Sequence, residues 1–410
     1  MLRAGPSQEE IRRHNLGTLL RHVHLGGPTS RAELTNRMGL NRSTIMALTA
    51  DLTAAGLVRE ELPRDTGRAG RPSLVVRPES ARVYVLAFDV GVDRLVAARI
   101  GLGGVILDRR EAVRPRGGFD MTEVVETLAG FARQMQRKVR PDTVCVGAAA
   151  ALCGAVRKSD GVVRFAPNIG LEDAPFGEAL SARLALGLPV SVGNDANLGA
   201  LAEHTRGLGV GCRDLVYLHG DVGIGGGIIV NNQLLGGVAG YGGEVGHTVV
   251  NPDGRLCGCG SHGCLEAEVG ERALLEHAGR SARGERGRDG IRAVVEAADK
   301  GDIIAQDALH RVGDWLGFGV ANLVNIFNPE VVIFGGTLRE IYLGSAAQVR
   351  SRLNTCTLAA LRESLRLRTS ALVDDATIVG AAELAFAQVL ADPLEVLARM
   401  ATRQTQAART

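Results

Sequence analysis

Three of the chain's seven cysteines fall within eight residues, and a histidine precedes them, in the spacing His247-x9-Cys257-x-Cys259-x4-Cys264. No other pattern constrains the chain as much. Three thiolates and an imidazole can close a tetrahedral site around one ion and so fix a loop that owns little apolar surface. Gly258 and Gly260 let the Cys-x-Cys turn fold back until both sulfurs face the same point. With every position filled by a protein ligand, the expected ion is a structural zinc and not a catalytic one. His262, inside the same loop, could take the histidine's place. Cys145, Cys153, Cys212 and Cys356 are scattered among apolar or small residues, and read as buried free thiols outside any disulfide framework.

A chain of 410 residues has room for two or three domains, and 45% hydrophobic with 22% charged residues is ordinary for globular cores. No run of eighteen apolar residues appears and the N-terminus lacks an apolar signal core, so a cytoplasmic protein without a membrane partner is expected. The net charge of +2 is unevenly spread: residues 1–77 hold twelve arginines, no lysine and seven acids, a net of +5, which leaves −3 for the remainder. A small basic head on a mildly acidic body suggests an anionic partner for the head. Arginine outnumbers lysine along the whole chain, so its abundance in the head decides nothing by itself.

The order of elements in the head carries more weight. Ile11, Leu16, Leu19, Leu20 and Val23 recur at helical spacing, "GGPTS" breaks the helix, and Ser30 can cap a short second helix that ends at Gly39. After a tight turn, a third helix starts at an Asn cap and is expected to carry Ile45, Leu48, Leu52 and Leu57 on one face. This is a helix-turn-helix, and its second helix would present Arg42, Ser43, Thr44, Met46 and Thr49 to base edges and phosphates. "LVREELPRDTGRAGRPSLVVRP" then reads as two strands around a Gly-rich tip, a wing whose Arg64, Arg68 and Arg71 could enter a minor groove. A three-helix packing module would account for the helices alone. The added basic hairpin favours double-stranded DNA as partner.

Residues 82–110 form three strand-like runs, followed by a helix near 121–138 and the strand "DTVCVGAAA", which together open an α/β lobe; a similar set starts near residue 214. The winged head together with "GNDANLGALAEHTRG", "GIGGGIIVNNQLLGG", "GGEVGH" and "CGCGSHGCLE" resembles the ROK family (repressors, open reading frames and sugar kinases) over residues 10–390. The resemblance implies an α/β fold in which the winged helix-turn-helix precedes a two-lobe, actin-like and ribonuclease-H-like domain with a hexose or amino sugar in its cleft. The expected division is 1–77 for the head, 78–200 for lobe 1, 201–392 for lobe 2 with the last helix returning to lobe 1, and a flexible tail over 393–410.

By the same resemblance Glu244, Glu266 and the metal-bound His247 contact sugar hydroxyls, and Asp195 is the position of the general base in the family's kinases. Asn194 and Asp195 follow the strand "LPVSVG" and precede a helix, a place where α/β proteins bind ligands. Gly154 and Asn168 are further candidates to line the sugar. The family's phosphate turns are altered here. Asp89-Val90-Gly91-Val92-Asp93 replaces an Asp-x-Gly-Gly-Thr pattern, and Asp221-Val222-Gly223 replaces Gly-Thr-Gly. Each has lost a hydroxyl and gained an acid, which disfavours bound triphosphate. The expected function is thus a sugar-responsive DNA-binding regulator of carbohydrate genes, most simply a repressor, working as a homodimer or homotetramer on a DNA operator. An ATP-dependent sugar kinase with a DNA-binding head is the alternative.

Overall fold

The computed structural model describes residues 5, 7–63, 73–280 and 287–407. The head begins with α1 (Gln8–Gly26), started by a capping box in which Ser7 Oγ accepts from Glu10 N at 3.2 Å and Ser7 N donates to the Glu10 carboxylate at 2.6 Å. There follow β1 (Thr29–Ser30), α2 (Arg31–Met38), α3 (Arg42–Ala54), β2 (Val58–Glu61) and β3 (Val75–Pro78). Gly39 ends α2 at φ +64, and the Asn41 side chain caps α3 by accepting from Thr44 N at 2.8 Å. β2 and β3 form an antiparallel hairpin, with β1 on the other edge of β3. These elements build a winged helix-turn-helix.

Lobe 1 contains β4 (Val83–Val90), β5 (Arg94–Gly101), β6 (Val105–Val113), α4 (Met121–Gln136), β7 (Val144–Leu152), β8 (Ala155–Val156), β9 (Val163–Ala166), β10 (Leu171–Ala174), α5 (Phe176–Leu184), β11 (Val190–Asn194) and α6 (Asp195–Arg206). Lobe 2 contains β12 (Leu215–Gly220), β13 (Ile224–Val230), β14 (Gln233–Leu234), α7 (Leu265–Val269), α8 (Glu271–His277), α9 (Gly287–Asp299), α10 (Ile303–Phe327), β15 (Val331–Gly336), α11 (Leu338–Cys356), α12 (Ala359–Arg362) and β16 (Arg366–Thr369). Then come α13 (Ala376–Ala391) and α14 (Pro393–Ala407).

The two main sheets repeat one plan. Their orders are β11-β7-β4-β5-β6 and β14-β13-β12-β15-β16. In each, an antiparallel meander supplies three strands and two parallel strands extend it through the first. The interior strands β4 and β15 are buried along their whole length, as expected of strands covered on both faces. Helices α6 and α13 pack on each other between the sheets: α6 also meets β12 and β13, and α13 meets β4 and β7. The last core helix therefore belongs with lobe 1, and a border drawn at residue 200 falls inside α6.

Head and lobe 1 share one hydrophobic core. Leu16, Leu19, Leu20 and Val23 of α1 join Ile45 and Leu52 of α3 and Ala385, Phe386 and Val389 of α13 in a single buried cluster. The helices α1 and α13 approach closely at Gly17, where a Cβ would stand 2.6 Å from the Leu390 carbonyl oxygen. The tail expected over 393–410 is instead helical through residue 407, and buries Pro393, Val396 and Met400 at positions i, i+3 and i+7 while packing on α1, α13 and β7. Its polar, arginine-rich composition belongs to the outer face of an amphipathic helix. Among the described residues no single helix is long and apolar enough to cross a membrane.

Candidate functional site

The metal candidates converge. His247 closes the 3₁₀ turn Val245–His247, Cys257 and Cys259 lie in the following loop, and Cys264 is the residue before α7. The loop is folded back by Cys257 N donating to the Ser261 carbonyl at 2.8 Å and Gly260 N to the Cys257 carbonyl at 3.0 Å, with Gly260 at φ +89. Gly263 has to be glycine: its φ is +65 and a Cβ would lie 1.5 Å from the Asn251 carbonyl oxygen. The four ligand atoms stand within 4.8 Å of one another, an arrangement that could hold a metal ion. Cys257 Sγ is 3.6 Å from His247 Nδ1, and Cys259 Sγ is 3.7 Å from Cys264 Sγ. His262 is exposed and outside the cluster.

Beside the cluster lies a small cavity between the lobes, and every sugar candidate lines it: Gly154, Asn168, Asn194, Asp195, Glu244, His247 and Glu266. Asn194 ends β11 and caps α6. Its Oδ1 accepts from Asn197 N and its Nδ2 donates to the Gly154 carbonyl, both at 3.0 Å, so it locks the strand-to-helix turn to the strand β7 turn. Gly154, at φ +108, is excluded from any other identity because a Cβ would fall 2.5 Å from the Phe165 carbonyl oxygen. Asp195 opens α6, and its Oδ1 accepts from Ala196 N at 2.7 Å. Glu266 Oε2 accepts from Ile224 N at 3.0 Å and its other oxygen lies 3.7 Å from Cys257 Sγ, which ties the glycine-rich turn after β12 to the metal loop. Gly223 makes room for that carboxylate. Burial pushes the carboxyl groups of Asp195 and Glu244 above their ordinary range, with His219 pulling Asp195 and His247 pulling Glu244 the other way. Carboxyl groups backed by a rigid loop suit hydrogen bonding to hydroxyls.

A second, larger cavity adjoins the first and shares Asp195, His219 and Asp221 with it. Its rim is acidic: Asp89, Asp93, Glu111, Asp289 and Asp374, together with Arg94 and Arg288. The guanidiniums are already engaged, Arg94 with Asp89 at 3.5 Å and Arg288 with Asp374. Asp89 also accepts from Thr377 Oγ1 at 2.9 Å. Arg116 spans the lobes, holding Asp93 at 2.9 Å and Glu271 at 3.0 Å. The Asp221 carboxylate has no hydrogen bond or ion pair among the described residues; burial pushes it up, and His219 opposes the shift. His219, on the end of strand β12 with Nδ1 3.2 Å from the Tyr217 hydroxyl, was invisible as a site residue because a histidine after "LVYL" reads as an ordinary strand position.

On the head, Arg42, Ser43 and Met46 are exposed and Thr44 is half-exposed on α3, so the first turn and a half of that helix offers the face expected to meet DNA. Thr49 is a correction: it is fully buried, and its Oγ1 donates to the Ile45 carbonyl at 2.6 Å, because position 49 falls on the same face as Ile45 and Leu52. Arg64, Arg68 and Arg71 lie outside the described residues. Arg12, Arg31, Arg37, Arg59 and Arg77 are paired to acids, whereas Arg42 has no ion pair among the described residues.

Sequence reasoning also missed a buried polar seam between head and body. His24 of α1 is fully buried; Gly103 N donates to its Nδ1 at 2.9 Å, and its Nε2 lies 3.1 Å from Glu383 of α13 and 2.7 Å from Arg206 Nη2. Arg206, the last residue of α6, donates from Nε to Glu383 at 2.5 Å and from Nη1 to the Gly103 carbonyl at 3.0 Å. Helix α6, about 18 Å long by its 1.5 Å rise, thus has its first residues in the cavity and its last residue on the head.

A sequence profile of the ROK family matches residues 85–388. The chain is 31% identical over 380 residues to a xylose repressor of Caldicellulosiruptor bescii, covering 89% of this chain and 93% of that one. It is 28% identical over 379 residues to the DNA-binding transcriptional dual regulator NagC of Escherichia coli, covering 90% and 92%. Among solved structures, a ROK family transcriptional regulator described as a homolog of the E. coli MLC protein superposes with a TM-score of 0.77 at 26% identity, over 95% of this chain and 99% of that one. A ROK family glucokinase from Streptomyces griseus, in complex with glucose and AMPPNP, gives 0.63 at 30% identity over 74% of this chain and 99% of its own.

Proposed function

The chain belongs to the ROK family, and on that premise we infer that it is a sugar-responsive DNA-binding transcriptional regulator, most simply a repressor of carbohydrate genes. The observation that carries this reading is the joining of an exposed helix-turn-helix, through one continuous core, to a hydroxyl-binding cavity. Sugar in the cavity contacts Asn194, Asp195, Glu244, His247 and Glu266, with Gly154 and Asn168 completing the wall. Closing the lobes on it presses β12 and β13 of lobe 2 against α6, and the seam at the far end of α6 passes that movement to α1. On the DNA side Arg42, Ser43, Thr44 and Met46 meet the major groove, with the wing arginines Arg64, Arg68 and Arg71 alongside it. Two copies reading two half-sites make a homodimer, or a pair of them a homotetramer, and a DNA partner places the protein in the cytoplasm.

The ion in the loop is proposed as a structural zinc. Around tetrahedral zinc, bonds of about 2.3 Å to sulfur and about 2.0 Å to nitrogen set ligand atoms about 3.5–3.8 Å apart. The observed separations of 3.6 and 3.7 Å fit. His247, Cys257, Cys259 and Cys264 would hold it, and its contribution is to fix Glu266 and His247 against the cavity.

The test is to select DNA from a random pool with the full-length protein and to titrate the selected duplex with glucose, xylose and N-acetylglucosamine present or absent. A sugar-dependent shift in DNA affinity is expected. DNA binding that ignores every sugar would end the reading. The kinase reading has one supporting feature, Asp195 at the cavity edge. Against it stand the Asp221 carboxylate and the Glu266 oxygen on Ile224 N, which occupy the turn where phosphate donors would be needed. ATP-dependent phosphorylation of glucose that disappears in Asp195→Asn would restore it.

A further inference from the structure

We propose that the effector is an uncharged sugar, and that Asp221 is the residue that excludes its phosphate esters. This rests on the sugar-binding reading above and adds the charge class of the ligand to it. Four carboxylates line the cavity, on Asp195, Asp221, Glu244 and Glu266, and among the described lining residues there is no lysine and no arginine. Its histidines do not compensate: His247 faces the cysteine cluster through Nδ1, and His219 shares the wall with Asp195 and Asp221, its Nδ1 3.2 Å from the Tyr217 hydroxyl.

Two backbone donors at each of the two turns are engaged internally as well. At the N-terminus of α6, Ala196 N gives its proton to Asp195 and Asn197 N to Asn194. In the glycine-rich turn, Ile224 N gives its proton to Glu266, and Asp221 N donates to the Gly223 carbonyl at 3.0 Å. A phosphate needs such donors or fixed cations, and here it meets carboxylates. A sugar hydroxyl, by contrast, donates to those same oxygens.

Asp221 is singled out by position. It borders both cavities, so a phosphate projecting from a sugar toward the second cavity passes it. Its carboxylate is not neutralised by any hydrogen bond or ion pair among the described residues, and the guanidiniums of the second cavity are held by Asp89 and Asp374. Its backbone, unlike its side chain, is fixed: the carbonyl accepts from Thr337 Oγ1 at 3.4 Å. Of the described residues that border both cavities, Asp195 accepts from Ala196 N and His219 lies beside the Tyr217 hydroxyl, which leaves the Asp221 carboxylate at the passage.

The experiment is calorimetry on the full-length protein with glucose against glucose 6-phosphate and N-acetylglucosamine against its 6-phosphate, in wild type and in Asp221→Asn. The quantity read is the ratio of the two dissociation constants. In wild type the ester should bind weaker than its parent sugar by at least about a hundredfold, and Asp221→Asn should shrink that ratio by at least about tenfold. Sugar phosphate binding as tightly as, or tighter than, its parent would overturn the proposal while leaving sugar-gated regulation intact. An unchanged ratio in Asp221→Asn would remove Asp221 from the role. If neither sugar nor ester binds at all, both this proposal and the reading beneath it fall.

Discussion

Replacing Glu383 by glutamine should uncouple the head from the body. Glu383 is 7% exposed and is the anion of a seam whose cation, Arg206, has a side chain only 14% exposed; His24, the third member, is fully buried. In Glu383→Gln the guanidinium stays in place without its counter-charge, and leaving one partner of a buried pair alone costs about 3–5 kcal/mol. For a chain of this length that corresponds to a fall in melting temperature of roughly 3–6 °C. Arg206→Met in the same chain removes the orphaned charge, so the double variant should regain a large part of the loss, giving a coupling of about 1–3 kcal/mol in a double-mutant cycle. The functional consequence follows from α6, which runs from Asn194 and Asp195 to Arg206: both variants should still bind sugar by calorimetry while the sugar's effect on DNA affinity falls at least about threefold. A single variant that melts within about 1 °C of wild type would refute the energetics. An undiminished sugar effect in the folded variant would refute the route through α6.

The same seam sets an acid limit. Burial pushes His24 below its ordinary range despite Glu383 beside it. As pH falls the unfolded chain therefore takes up the proton first, and stability that is full above about pH 6.5 should drain away below it; thermal melts at pH 7.5 and 5.5 check this, and equal stability would contradict it. Gly17→Val should lower stability by about 1–3 kcal/mol, because a Cβ there meets the Leu390 carbonyl oxygen at 2.6 Å, and melting no lower than wild type would show that the helices separate freely. Arg42→Ala should weaken binding to every DNA sequence alike and reduce the salt slope by about one unit, measured by anisotropy from low to high salt. Metal analysis of purified protein should find one zinc per chain, and a strong chelator should abolish sugar binding before it abolishes DNA binding; sugar affinity untouched by complete zinc removal would contradict the bracing role given to the loop.

The parts of this molecule that local chemistry dictates were legible from the chain. Spacing alone brought His247 and the three cysteines together, helix caps at Ser30 and Asn41 marked the helix-turn-helix, and alternating strands and turns marked two similar lobes. The sugar-cavity residues came from the family resemblance, and all of them reached one cavity. What was missed depends on contacts far apart in sequence. Thr49 looked like a surface polar residue until its register on α3 turned it inward. Residues 393–407 looked like a tail because three buried side chains among many polar ones carry little weight without the surface they cover. His24, Arg206 and Glu383 are ordinary helix residues in sequence, separated by up to 359 positions, and only the packing of α1 on α13 makes them a unit. His219 likewise becomes a site residue only because the fold brings Asp195 of α6 to the same cavity wall.

The most direct test of the central claim is reciprocal. Sugar is titrated calorimetrically into the protein alone and into the protein saturated with its selected DNA. If the cavity governs the head, the two sugar dissociation constants differ by at least about fivefold, and DNA affinity shifts by the same factor when sugar is present, as linkage requires. Identical sugar affinity with and without DNA would contradict the account.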